Sequence, residues 1–205
     1  MKPFTTLTAV AAPLESANAD TDRIIPARFL RKPASHPEAG YAPYLFYDLR
    51  FDAEGRERPD FVLNQPPYRN AAILVAGVNF GCGSSREGAV YALRDFGIRA
   101  VIASSYGDIH YANEIQNGML PVMLPEEVCS ALRAQLREKP GTQLSIDLEA
   151  QTVTDTAGAV HRFEIDPIYK ERLLKGLDEI GQVLQYLPEI EAFEQRHYRT
   201  LPWIA

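Results

Sequence analysis

Short apolar runs and segments of helical period alternate through the middle of the chain. AAILVAG (71–77), RAVIASS (99–105) and LPVML (120–124) are the apolar runs, and 84–96, 107–117 and 125–138 carry the helical pattern. Runs of that length suit strands buried on both faces. Strands alternating with helices at this spacing predict βαβ units and a mostly parallel sheet, hence an α/β fold. Residues 4–12 (FTTLTAVAA) predict a further strand, and 143–148, 151–155 and 159–165 predict short antiparallel strands with a turn near Ala157-Gly158. From Pro167 to about Arg196 the pattern is helical; a helix over Leu177–Leu187 places Leu177, Ile180, Leu184 and Leu187 on one face.

Two stretches lack either period. Asn18-Ala19-Asp20-Thr21-Asp22 is a polar turn whose side chains can bond their own backbone. It leads into Ile24–Leu30, read as one helical turn starting at Pro26. Residues 33–70 hold Pro33, Pro37, Pro43, Pro59, Pro66 and Pro67 among many aromatics, which predicts a long packed loop with little regular structure.

Composition narrows the function classes. The 205 residues, 46% hydrophobic and 23% charged, suit one folded domain over 1–205 with a helical C-terminal extension from about 167. A net charge of −6 disfavours nucleic acid as a general partner. Cys82 and Cys129 stand apart and in no C-x-x-C pair, which excludes a cysteine zinc site, an iron–sulfur cluster or a disulfide scaffold built by this chain alone. The longest apolar stretch, Ala71–Val78, falls short of the roughly 20 residues a membrane helix needs. The start of the chain, with one Lys and an apolar run broken by Thr and Pro13, reads as a strand rather than a signal peptide, so the cytoplasm is the expected compartment.

The candidate chemistry lies in Asn79-Phe80-Gly81-Cys82-Gly83-Ser84-Ser85-Arg86-Glu87, after a strand and at the opening of a helix. Two readings stand side by side. Ser84-x-x-Glu87 has the form of a capping box, with the glycines making the turn. Alternatively the helix start is an anion site: free N–H groups and the positive dipole end attract a carboxylate or phosphate, the glycines let backbone approach it, and Arg86 offers a planar fork. Familiar loops do not fit. The third glycine of a dinucleotide fingerprint is Arg86, the Lys-Ser/Thr of a P-loop is Ala89-Val90, and the last glycine of a nucleophile elbow is Glu87. Cys82 activated by His110 is a further, less favoured arrangement. His110, His161 and His197 lack metal-binding spacing and read as surface or capping residues.

The stretch from Gly77 to Val122 resembles the swivel domain of the aconitase superfamily. Asn18–Pro26, Phe61-Val-Leu-Asn64 and Gly176-Leu-Asp-x-Ile-Gly181 extend the likeness, so the chain as a whole is similar to the small-subunit family of the 3-isopropylmalate dehydratases. The resemblance implies a swivelling β/β/α domain with a mostly parallel sheet or partial barrel and flanking helices. It implies a hydro-lyase of leucine biosynthesis, active only with a large subunit in a heterodimer or heterotetramer. That subunit's cysteines would hold a [4Fe–4S] cluster, with none in this chain. By the same resemblance Ser84 is the catalytic base and Arg86 the carboxylate-binding arginine, and Thr21 and Asp22 lie on the substrate side; Ser85 adds a hydroxyl beside the helix start, and Arg31 and Lys32 are further candidate substrate-binding residues. A serine base needs a strong positive field, and a helix start with Arg86 supplies part of it.

Two departures stand out. Gly88 replaces the family's usual histidine, and the 31–45 segment lacks an evident arginine before its turn, leaving Arg31, Lys32 or His36 as stand-ins. They keep open a paralogous hydro-lyase acting on methylmalate, dimethylmalate or a related acid. A non-catalytic carboxylate-binding module is the alternative from another class.

Overall fold

A computed structural model describes residues 1–31, 40–83, 86–201 and 203. In chain order the elements are β1 (Thr6–Pro13), α1 (Thr21–Ile24), α2 (Tyr47–Arg50), β2 (Ile73–Val75), α3 (Glu87–Phe96), β3 (Ala100–Ala103), α4 (Asp108–Gln116), β4 (Leu120–Met123) and α5 (Glu126–Glu138). There follow β5 (Gln143–Asp147), β6 (Thr152–Thr154), β7 (Val160–Arg162), α6 (Pro167–Lys175), α7 (Glu179–Leu184) and α8 (Leu187–Thr200).

The strands form one sheet in the order β4-β3-β2-β1-β5-β6-β7. β1 to β4 pair in parallel, with Ala12 opposite Leu74 and Leu74 opposite Val101. β1–β5, β5–β6 and β6–β7 are antiparallel. The expected α/β architecture is present, but parallel pairing covers half of the ladders rather than most. The physical reason is connection length: β5, β6 and β7 are joined by turns too short for a crossover, so they can pair only antiparallel.

Continuous apolar runs are explained by what covers the two faces. Ile73, Val75 and Ile102 point one way and pack with Cys129, Leu132 and Leu136 of α5. Leu74, Val101 and Ala103 point the other way, onto Ala89, Val90 and Leu93 of α3 and onto Tyr44, Phe46 and Tyr68. Those aromatics come from the Pro-rich stretch, whose described part is a packed loop as expected. A polar knot holds it. Arg50 Nε donates to Asn64 Oδ1 (3.1 Å), and Asn64 Nδ2 donates to the carbonyls of Arg50 (2.7 Å) and Arg58 (2.9 Å).

Two local expectations are corrected. α3 opens at Glu87 rather than at Ser84. Arg86 is its N-cap, extended at φ −112° and ψ 100°, without a side-chain capping bond. The Glu87 carboxylate instead accepts from Asn117 Nδ2 (3.0 Å), so its partner lies across on the end of α4. Second, the helix expected over 177–187 is broken. Asp178 caps the six-residue α7 by accepting from the Gly181 N–H (2.6 Å), and Pro188 sits in the first turn of α8. A proline there has no N–H to continue the preceding helix, so a new one begins. The face carrying Ile180, Leu184 and Leu187 is exposed, not packed on the body.

Candidate active site

The carboxyl ends of β1, β2 and β3 lie side by side, and the loops leaving them meet. In open parallel sheets this edge is where ligands bind, because strand ends and helix starts converge there. Backbone hydrogen bonds join the three loops. Gly81 N donates to Ala19 O (2.8 Å), Thr21 N to Cys82 O (3.0 Å), Phe80 N to Ser105 O (3.0 Å) and Gly107 N to Phe80 O (2.9 Å). Asn79 adds a side-chain bond to Asn18 Oδ1 (2.8 Å). The 79–83 turn is therefore held on both flanks.

Its glycines are required by the packing. Gly81 has φ +69°, and a Cβ there would lie 2.1 Å from the His110 ring. Gly107 abuts the same turn, where a Cβ would come within 2.6 Å of Gly81 O. Backbone of one loop thus rests on backbone and ring of the next, and a cleft of about 150 Å³ is left between them.

Thr21, Gly81, Gly83 and Arg86 line one side of this cleft, and the first turn of α4, with Asn113 a turn further on, lines the other. Gly107 is the N-cap of α4 and leaves the helix start without a side-chain cap. A helix start of this kind presents N–H groups to the cleft, beside the Asp108 carboxylate of the same first turn, which also lines it. The half-buried Arg86 guanidinium pairs with the Asp22 carboxylate. Asp20, two residues before, caps α1 by accepting from Arg23 N (2.7 Å), which sets Asp22 in the first turn toward Arg86. Within the polar turn Asp20 caps α1, while Thr21 lines the cleft and Asp22 pairs with Arg86.

Of the residues singled out in the sequence, Arg86, Asp22 and Thr21 come together here. Arg31 is exposed and does not line the cleft. Ser84, Ser85 and Lys32, with His36, lie outside the described residues; the neighbours of the two serines, Gly83 and Arg86, both line the cleft. Gly88 has a local explanation, since a Cβ there would meet Leu30 Cδ2 at 2.8 Å, so the glycine lets Leu30 close against α3.

The sequence reading missed a buried pair. His110, expected at the surface or in a cap, is 2% exposed and stands under the Gly81 turn, edge-on to Phe80. Its Nε2 lies 3.0 Å from Oε1 of the fully buried Glu114. Among the described residues none of the four side-chain polar atoms of His110 and Glu114 makes a hydrogen bond of good geometry, the 3.0 Å approach being an ion-pair contact. Burial holds the Glu114 carboxyl above the ordinary glutamate range, against the opposing pull of His110. The i,i+4 spacing of a His and a Glu on a helix was the available signal.

Cys129 is not set up for nucleophilic chemistry. Cys129 is buried with its thiol pushed up to about 11 by burial, and its Sγ contacts Leu124 O at 3.5 Å. Cys82 is half-buried in the turn. Among the described residues no three His, Cys, Asp or Glu side chains gather to hold a metal, and no helix is long and apolar enough to cross a membrane.

The fold and cleft define a class: residues 1–127 match the aconitase C-terminal domain family, and residues 130–167 match the LeuD_N family. The 3-isopropylmalate dehydratase small subunit of Phenylobacterium zucineum is 54% identical over 204 residues, covering 100% of this chain and 98% of the relative. That of Gluconacetobacter diazotrophicus is 51% identical, covering 99% and 97%. The chain belongs to the 3-isopropylmalate dehydratase small-subunit family. A crystal structure of 3-isopropylmalate dehydratase (leuD) from Methanocaldococcus jannaschii superposes with a TM-score of 0.62 at 26% identity, covering 94% of this chain and 99% of that one.

Proposed function

We propose that the chain is the small subunit of a cytoplasmic 3-isopropylmalate dehydratase, a hydro-lyase interconverting 2-isopropylmalate and 3-isopropylmalate in leucine biosynthesis. It works in a heterodimer or heterotetramer with a large subunit. The observation that carries the reading is the cleft in which Arg86 meets the uncapped start of α4 at the carboxyl edge of three parallel strands. That arrangement suits a carboxylate, and the full-length relatives narrow the carboxylate to an isopropylmalate. The relatives give no support to a paralogous substrate or to a non-catalytic module.

Each residue then has a defined task. Arg86 grips a substrate carboxylate through its planar fork, oriented by Asp22 and assisted by the α4 amides. Ser84, between two cleft-lining residues, takes the proton from the carbon next to the one that loses its hydroxyl. One water departs and one returns with the positions of H and OH exchanged, so the reaction balances without a redox partner. Thr21 lines the cleft; Ser85, Arg31 and Lys32 are assigned to the substrate by the resemblance alone, and Arg31 does not line the cleft. The [4Fe–4S] cluster implied by the family supplies a Lewis acid for the leaving hydroxyl. Its ligands belong to the large subunit, because two separated cysteines, one buried against a carbonyl, do not suit it.

The test is reconstitution. The chain alone, purified anaerobically, is expected to show no cluster absorbance and no turnover. Mixed with the large subunit of the same organism it is expected to turn over 3-isopropylmalate. Turnover by the chain alone, or none by the reconstituted pair, refutes the assignment.

A further inference from the structure

The two walls of the cleft differ in chemistry. The first presents the Arg86 guanidinium beside Thr21 and the glycines of the 81–83 turn. Among the described lining residues Arg86 is the one Lys or Arg, and it already faces Asp22. The α4 wall turns two exposed side chains toward the same space. Ile109 is 54% exposed and is the one aliphatic side chain among the described lining residues. Asp108 precedes it and adds an exposed carboxylate. Folding does not account for the isoleucine. α4 buries His110, Glu114 and Ile115, so its inward stripe is complete without Ile109. A lone exposed apolar residue is ordinary on a protein surface. One that lines the cleft beside the carboxylate-binding groups is placed to touch what binds there.

The substrate of the proposed reaction divides in the same way. An isopropylmalate has two carboxylates, a hydroxyl and one branched alkyl group. Arg86 and the α4 amides answer a carboxylate. The alkyl branch needs an apolar surface, and Ile109 is where the described cleft offers one. Arg31, by contrast, does not line the cleft. A carboxylate in the place of the branch would meet the Asp108 carboxylate, with no second Lys or Arg among the described lining residues to offset the repulsion. One side chain therefore favours the alkyl group and its neighbour acts against the charged alternative, the two halves of a specificity device.

We propose that the first turn of α4 reads the variable group of the substrate: Ile109 seats the alkyl branch, and Asp108 bars a carboxylate from the same place. Neither residue moves a proton in the reaction; both act on which acid is accepted. The inference rests on the proposed function for the identity of the substrate and deepens it by assigning the contact that selects the branch.

The experiment uses the enzyme reconstituted at saturating large subunit, with the unaltered chain, Ile109→Ala and Asp108→Asn. Both positions are exposed, so circular dichroism of each free chain should match the parent. The probes are 3-isopropylmalate, 3-methylmalate and isocitrate, in which a carboxymethyl group replaces the isopropyl. In Ile109→Ala the ratio of kcat/KM for 3-isopropylmalate over 3-methylmalate should fall at least about tenfold, the lower end of what one methylene contributes in an apolar pocket. In Asp108→Asn isocitrate, read as a competitive inhibitor of 3-isopropylmalate turnover, should bind at least about fivefold more tightly, the effect of removing one like charge at 4 Å even in bulk water. An unchanged ratio in Ile109→Ala, or isocitrate bound no better by Asp108→Asn, overturns the inference. If the ratio holds while affinity for the large subunit falls, Ile109 faces the partner rather than the substrate and the inference is again overturned. Turnover of 3-isopropylmalate by the unaltered pair keeps the proposed function standing whatever the variants do. Without that turnover both readings fall.

Discussion

Replacing Gly81 by alanine tests whether the cleft turn truly rests on the His110 ring. At φ +69° an alanine pays the left-handed penalty of about 1–2 kcal/mol. Its Cβ would also fall 2.1 and 2.2 Å from His110 Cγ and Cδ2, well inside contact distance. The ring cannot easily retreat, being buried between Phe80 and Glu114. Overpacking of this kind adds about 1–3 kcal/mol, so Gly81→Ala should cost about 2–5 kcal/mol in all. Gly158 is the control: it has φ +87° but nothing within 4 Å of a Cβ, so Gly158→Ala should cost only the backbone penalty. Urea unfolding followed by circular dichroism gives both losses on one scale. Adding His110→Ala to Gly81→Ala should recover part of the loss, because the ring that collides is gone, and the coupling appears as non-additivity. Equal losses for the two alanine variants, with no coupling to His110, would show that the turn does not bear on the ring.

Arg86→Lys should chiefly raise KM in the reconstituted enzyme, since a point charge cannot reproduce a bidentate fork; steady-state kinetics with an unchanged KM would remove Arg86 from carboxylate binding. Glu114→Gln should alter the pH dependence of stability. The folded carboxyl titrates above its unfolded value near 4.3, so the stability it confers is complete below that pH and is lost as pH rises through the folded value. The variant should therefore gain on the parent as pH rises above about 4.3 in urea titrations, and a constant gap would contradict the burial argument. Asn64→Ala removes three side-chain bonds from the knot that closes the packed loop, and should cost about 2–4 kcal/mol in the same assay.

The strands of the parallel half were legible because both their faces are buried, Leu74 and Val101 on one and Ile73 and Ile102 on the other, which leaves continuous apolar runs. The apolar spacing of Ile180, Leu184 and Leu187 carried no such information. Periodicity reports an amphipathic helix but not what it packs on, and here Ile180 and Leu184 stay more than half exposed among the described residues. The start of α3 was misplaced because a capping box is a local pattern, while Arg86 is drawn out of the helix by Asp22, 64 positions earlier in the chain. The same distance explains the site. Arg86 and Asp22 are linked by family resemblance, not spacing, and the burial of His110 under Gly81 is a contact between loops that no local spacing reports.

The most direct test of the central claim is the kcat of the reconstituted enzyme with Ser84→Ala, measured on 3-isopropylmalate at saturating large subunit. A lost general base lowers kcat by roughly 10²–10⁴-fold with subunit affinity intact. A near-normal kcat would show that Ser84 is not the base and that the chemistry of this cleft lies elsewhere.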